Sequence, residues 1–285
     1  MRLRGSGAIL SQLYHLAALP LSKRGMQLGK GALIISIDVD VGCKLVGEKN
    51  RGCNDINVNN YLSESRVGEL EELALPHLLR ALEDSEMPAT FAVRGQLTDV
   101  DGFLINLIKQ SSIKHDIGGH GYYHRTFTSL SHLEAENELD MISKGMKKFN
   151  IEPKSFIFPK NKVAHLDLLE KYGYKCYRDY GSFRFDGMYI RKHGNLYDVH
   201  PSFFLGSSPY SVCLNRIVDV AIKYNSPFHI WFHPSDLGYT HESIQKKISR
   251  TLRPLLTYAH KKHRKDELSL ETMYSAIEKL DSSKA

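Results

Sequence analysis

Two rhythms of apolar and polar positions alternate along this chain. Residues 32–37, Ala-Leu-Ile-Ile-Ser-Ile, are a nearly continuous apolar run that ends in Asp38-Val39-Asp40. Such a run predicts a parallel strand buried on both faces. Similar runs predict strands over residues 89–93, 113–117, 155–158, 174–177, 196–199 and 228–232, with Gly118-Gly119 breaking the third. Between them the apolar spacing shifts to three and four. Residues 64–84 read as a helix with Leu70, Leu73, Leu78 and Leu82 inward and a bend near Pro76, and residues 103–110 as a short one. Ser131 and Glu134 form a capping box ahead of Ala135, Leu139, Ile142, Met146 and Phe149, a helical face. Residues 163–172 predict a helix closed by Gly173, and Ser208-Pro209 opens one carrying Leu214, Ile217, Ala221 and Tyr224. Ile244, Ile248, Leu252, Leu255 and Ala259 mark a long helix perturbed at Pro254, and residues 270–280 a closing helix.

Strand and helix alternate throughout, which predicts a mainly parallel sheet in an α/β fold. About seven such units approach the number that closes a barrel. The 285 residues suffice for one large domain, taken as residues 31–285, preceded by a helical segment over residues 1–30 packed on it. A composition of 42% hydrophobic and 25% charged residues is that of an ordinary globular chain. Cys43, Cys53, Cys176 and Cys213 include no Cys-x-x-Cys pair, which favours free thiols in a reducing compartment. No run of about 18 apolar residues occurs, so no membrane span is expected, and a cytoplasmic protein is. Eight lysines and arginines between Lys246 and Lys265 make the last long helix basic. With no groove-reading motif or aromatic platform this is a solvated helix face rather than a nucleic-acid site. Peripheral contact with an anionic glycolipid surface stays open.

The polar residues cluster at strand ends. Asp38 and Asp40 close the first strand, His120 and His124 follow the third, and Pro159, Lys160 and Asn161 follow the fourth. Arg178 ends the fifth, and His233 ends the strand of residues 228–232. In a parallel barrel these carboxyl ends share one face, the face that carries active sites. Histidines four apart share a ligand if their segment is helical. Gly121 stands where a zinc protease has its glutamate, which excludes that reading. One carboxylate and two neutral imidazoles can hold a divalent ion with positions open for water and substrate. A second carboxylate can take the water's proton, and a histidine opposite can protonate a leaving group. That set suits hydrolysis of an amide or an ester.

Ser36-Ile-Asp-Val-Asp40, His120-Gly-Tyr-Tyr-His124, Phe156-Ile-Phe-Pro159 and Trp231-Phe-His-Pro234 stand in the order of the polysaccharide deacetylase motifs. Pro88-Ala-Thr-Phe91 with Gly95, and His115-Asp-Ile-Gly118, add to the pattern. From about residue 32 to residue 280 the chain resembles this NodB-homology group, carbohydrate esterase family 4. The resemblance implies a single distorted (β/α)7-8 barrel and a hydrolase that removes acetyl groups from sugars with zinc or a related ion. It implies Asp40, His120 and His124 as metal ligands, Asp38 as general base and His233 as general acid. Arg94, Tyr123, Pro159, Lys160, Asn161 and Arg178 are the candidates for substrate contact.

Three features depart from the family pattern. Asp-Val-Asp replaces adjacent aspartates, as in a subgroup with peptidoglycan-deacetylase-like and allantoinase-like proteins, so a cyclic amidohydrolase is the alternative activity. A non-catalytic glycan- or membrane-associated role is the other. Phe158-Pro-Lys-Asn161 replaces Arg-x-x-Pro-Tyr, so the arginine that orients the base must be supplied by Arg178, Lys160 or Arg94, if at all. Without a secretion signal, an N-acetylated amino-sugar precursor, lipid- or nucleotide-linked, fits better as substrate than a cell-wall polymer.

Overall fold

The computed structural model describes residues 25–26, 28–40, 67–68, 70–99, 102–179, 188–206 and 214–282. Most of the expected N-terminal segment lies outside the described residues. So do the polar loop of residues 42–60, Cys43, Cys53, Cys213 and the helix start at Ser208.

Ten strands are described: β1 (Ala32–Val39), β2 (Thr90–Val93), β3 (Asp116–Gly119), β4 (Ser155–Ile157), β5 (Cys176–Arg178), β6 (Ile190–His193), β7 (Leu196–Val199), β8 (Phe203–Phe204), β9 (Pro227–Phe232) and β10 (Ser269–Glu271). They make one sheet in the order β6-β7-β5-β4-β3-β2-β1-β9-β8, with β10 beside the first half of β1. Every pairing is parallel except the β6–β7 hairpin. The described helices are α1 (Leu75–Glu83), α2 (Phe103–Lys109), α3 (His132–Lys147), α4 (Leu166–Lys171), α5 (Leu214–Tyr224), α6 (His241–Lys247), α7 (Arg253–Arg264) and α8 (Met273–Ser282). The alternation predicted the mainly parallel sheet, and its curl with the surrounding helices is the distorted (β/α) barrel that the resemblance implied.

Side-chain alternation on β1 divides the core. Leu33, Ile35, Ile37 and Val39 pack with the helices in one cluster. Ala32 and Ile34 join Ala92, Ile157, Cys176, Tyr197 and Val199 against Met273, Ala276, Ile277 and Leu280 of α8 in a second. Ser36 and Asp38 continue this second side of the strand toward its carboxyl end. The start of α8 is tied to the sheet. The Met273 N–H donates to Thr90 Oγ1 (2.8 Å), and Thr90 and Ser155 hydroxyls donate to Asp116 Oδ2 (2.9 and 2.5 Å).

The pattern misplaces several elements. The third strand is residues 116–119, not 113–117, and Gly118-Gly119 lie within it. Their glycines answer to crowding: a Cβ at Gly118 would stand 2.5 Å from the Ser155 carbonyl oxygen, and one at Gly119 2.6 Å from the Tyr174 hydroxyl. The short strands β6 and β8 escape notice because four and two residues carry too little periodicity. β10 falls at the start of the predicted closing helix, which begins only at Met273, after Thr272 exchanges bonds with Ser275. The long helix expected through residues 244–259 is two, joined by a π-helical turn at Ile248–Leu252. Pro254 lacks an N–H and crowds the preceding turn, so the regular ladder cannot run through it.

Candidate active site

The carboxyl ends of β1, β2, β3, β5 and β9 meet on one side of the sheet. Asp38 is 3% exposed, and the fully buried Arg178 grips it with both ends of the guanidinium: Nη1 to Oδ1 at 2.7 Å and Nη2 to Oδ2 at 2.6 Å. The other three guanidinium protons are also used. Nη1 donates to Ser36 Oγ (3.0 Å), while Nε and Nη2 donate to Asn161 Oδ1 (3.2 and 2.9 Å). All five donors of the fork are therefore satisfied. Beneath it, His229 Nδ1–H donates to the Val199 carbonyl (3.0 Å), which leaves Nε2 to accept from the Ser36 hydroxyl (2.8 Å). The Trp231 ring lies 4.4 Å from the Arg178 guanidinium carbon. Burial pushes the Asp38 carboxyl up, but the Arg178 charge, with His120, His233 and the Arg178 bonds, outweighs it and holds Asp38 below the ordinary carboxylate range.

Asp40, His120 and His124 form the second half. One donor atom from each lies within 4.8 Å of the others, and His124 Nε2 is 3.2 Å from Asp40 Oδ2. The two histidines do not share a helix face, contrary to the expectation from their spacing. Residues 120–124 are a loop beyond β3 in which Gly121 and His124 take φ of 66° and 61°. This bend, rather than a helical turn, brings the rings to 4.8 Å between centroids. A Cβ at Gly121 would stand 2.9 Å from Pro159 Cγ, so Pro159 packs under the bend. His120 Nδ1–H donates to the Ile157 carbonyl (2.7 Å), which fixes the tautomer and leaves Nε2 a buried lone pair without a hydrogen-bond partner. Burial pushes both imidazoles below their ordinary value, so both are neutral ligands at neutral pH. Burial also raises Asp40, against the pull of His233 and His120. Two neutral imidazoles and a carboxylate, one ring presenting an unused buried lone pair, fit a divalent cation.

His233 faces both halves. Its Nε2 is 3.9 Å from Asp38 Oδ2, and its Nδ1–H donates to Asp236 Oδ2 at 2.9 Å. Burial lowers its pKa, but the Asp236 bond and the charges of Asp40, Asp38 and Asp236 bring it up to about 9.

The remaining candidates divide. Asn161 holds Arg178 rather than standing open, and Lys160 is exposed on the turn after β4. Arg94 is fully buried, bonded to Gln96 and drawn toward Asp40 and Glu138, with its pKa lowered by burial to about 10. Tyr123 packs edge-on against Tyr122. Of the three replacements considered for the missing third-motif arginine, Arg178 takes the place beside Asp38, from the end of β5. Ser36, His229 and Asp236 were not singled out from sequence. The Asp236 signal was available, as an acid three residues after His233 at a turn.

Comparison with known proteins agrees with this architecture. Residues 69–177 match the family model described as polysaccharide deacetylase. No curated protein matches the chain by sequence. Among solved structures, a Mycobacterium smegmatis protein assigned to the polysaccharide deacetylases superposes with a TM-score of 0.64 at 13% identity, covering 91% of this chain and 94% of that one. A carbohydrate esterase family 4 pseudoenzyme of Bacillus anthracis gives 0.52 at 14% identity, over 87% of this chain and 66% of that one. The family 4 esterase domain of a multidomain xylanase from the hindgut metagenome of Trinervitermes trinervoides gives 0.50 at 13%, over 89% and 92%. At these identities the likeness is one of fold.

Proposed function

We propose, from the match of residues 69–177 to the polysaccharide deacetylase family model, that the chain is a metal-dependent hydrolase that removes the N-acetyl group of an amino-sugar-containing glycan or glycan precursor. The observation that carries this reading is the pairing of two differently held carboxylates at the carboxyl end of β1: Asp38 clamped by Arg178, and Asp40, one residue past the strand, grouped with His120 and His124. Asp40, His120 and His124 would hold the ion, zinc by their chemistry. When bound there, a divalent ion polarises the acetyl carbonyl and acidifies water.

Asp38 takes the proton of the attacking water. The Arg178 clamp makes it a weak base, one always ionised and held in a single orientation, and it is adequate for a water already acidified. His233, kept protonated by Asp236, presents Nε2 to the site and gives its proton to the departing amine. The balance is amide plus water to acetate plus free amine. Trp231 and its partner Phe204, 4.4 Å apart, wall the side of the site next to Arg178.

Asp-Val-Asp favours one second reading, ring opening of a cyclic amide by the same groups. The test is metal analysis of the purified chain with acetate release measured over N-acetylated mono- and oligosaccharides and glycolipids, beside ring opening of allantoin-like compounds. Zinc at one equivalent with acetate release bears the reading out. Ring opening without acetate release replaces it, and absence of both turnover and metal overturns it.

A further inference from the structure

One buried charge has no part in the chemistry above. Glu138 lies in the middle of α3 and is 1% exposed. Its Oε2 accepts from the backbone N–H groups of Tyr122 (2.5 Å) and Tyr123 (2.9 Å), and its Oε1 accepts from Arg125 Nε (2.9 Å). Both N–H groups belong to the loop between His120 and His124. That loop is neither helix nor strand, and two of its residues sit at positive φ, so no regular ladder holds it. It is held instead from two sides. Gly95 N–H donates to the Gly121 carbonyl (2.8 Å) and Gln96 N–H to the Tyr122 carbonyl (3.2 Å), which fixes the acceptors. Glu138 fixes the donors.

A buried carboxylate is retained only where it is fully bonded. Here its partners are the two amides midway between the two imidazoles. We propose that Glu138 is the positioning residue of the metal site: it reaches from α3 to set the bend that turns His120 and His124 onto one point. The proposal rests on the reading of Asp40, His120 and His124 as metal ligands. Arg125 neutralises Glu138 from the side away from these amides, with Glu134 as its second acid at 3.4 Å. It supplies charge balance rather than loop geometry.

The test is the zinc dissociation constant of the full chain, measured by competition with a chromophoric chelator, with the thermal midpoint of each metal-free protein alongside. Glu138→Ala frees both amides and should weaken zinc binding by about 10–100-fold, the range for partners that orient ligands. Glu138→Gln keeps an oxygen for the amides but turns its NH2 toward the Arg125 Nε–H and loses that pair, so it should restore affinity to within about threefold once Arg125 swings away. Arg125→Ala should do the same. Glu138→Asp, with its carboxylate withdrawn by one methylene, should fall between and serves if the alanine variant does not fold. Zinc affinity unchanged in Glu138→Ala or Glu138→Asp, or lost equally in Glu138→Gln and Arg125→Ala, overturns the proposal and leaves Glu138 a purely structural acid. A wild-type chain that binds neither zinc nor another divalent ion overturns the metal reading itself, and this proposal with it.

Discussion

Asp38 near the end of β1 and Asp40 just past it stand two residues apart and have opposite surroundings. Around Asp38 everything is closed within the protein: Arg178 spends all five donors, Ser36 and His229 complete the chain, and Asn161 caps it. Around Asp40 the groups are brought together but not mutually satisfied. His120 keeps an unbonded buried nitrogen, both rings are neutral, and burial raises the carboxyl. The lesson is that burial does not decide the state of an acid: a buried carboxylate follows its partners. One half is a closed ion pair that holds the proposed base, and the other is a donor set that fits a cation.

The contrast can be broken at its strongest point first. Asp38→Asn should keep zinc at one equivalent and cut turnover by about 10²–10⁴-fold, the range for a positioned base. His120→Ala should lose the metal and turnover with it. Equal metal content in the two variants, by elemental analysis, would erase the division between the halves. Next, Arg178→Leu leaves Asp38 buried without its counter-charge and should cost about 3–5 kcal/mol in urea unfolding. The double variant Arg178→Leu/Asp38→Leu should recover much of it, and failure to recover would mean that the pair is not the unit described.

Acid stability offers a smaller effect. Burial pushes His229 down to about 3, with Arg178 adding to it, so the folded protein holds this ring neutral. A depressed folded value gives stability that is complete above the unfolded pKa near 6.5 and is lost as pH falls toward 3. By pH 5 about 2 kcal/mol of that contribution should be gone. His229→Gln keeps an acceptor for Ser36 without a titrating ring, so its urea midpoint should change less between pH 7 and pH 5 than that of the wild type. Parallel slopes would exclude His229 as the acid-sensitive group. The smallest effect belongs to Asp236→Asn. Removing the charge that raises His233 should move the alkaline limb of the rate profile down by about one unit. An unmoved limb would mean that another group is the acid.

Much of this site was legible in the linear order. Asp38, Asp40, His120, His124, Arg178 and His233 could all be assigned to strand ends because apolar runs stop where those residues stand. The misreadings share one cause. A spacing of four suggested a helix for His120 and His124, yet a loop pinned from α3 and from the end of β2 turns them together. Glu138 was hidden in a helix read for its packing face, and its acceptors point at a segment 15 and 16 residues earlier. Ser36 and His229 were hidden in strands, where a polar residue inside an apolar run carries no periodic signal.

From the amino-acid order alone came the alternation that makes a parallel sheet, the placement of chemistry at one end of it, and the types of group available there. These follow from local periodicity and strand direction, which need no knowledge of distant contacts. Only the tertiary structure decided which arginine meets which aspartate and which nitrogen of His120 stays open, because both depend on sheet order and register. Arg178 reaches Asp38 from the end of β5, 140 residues along the chain, and no spacing rule on a single segment connects positions that far apart.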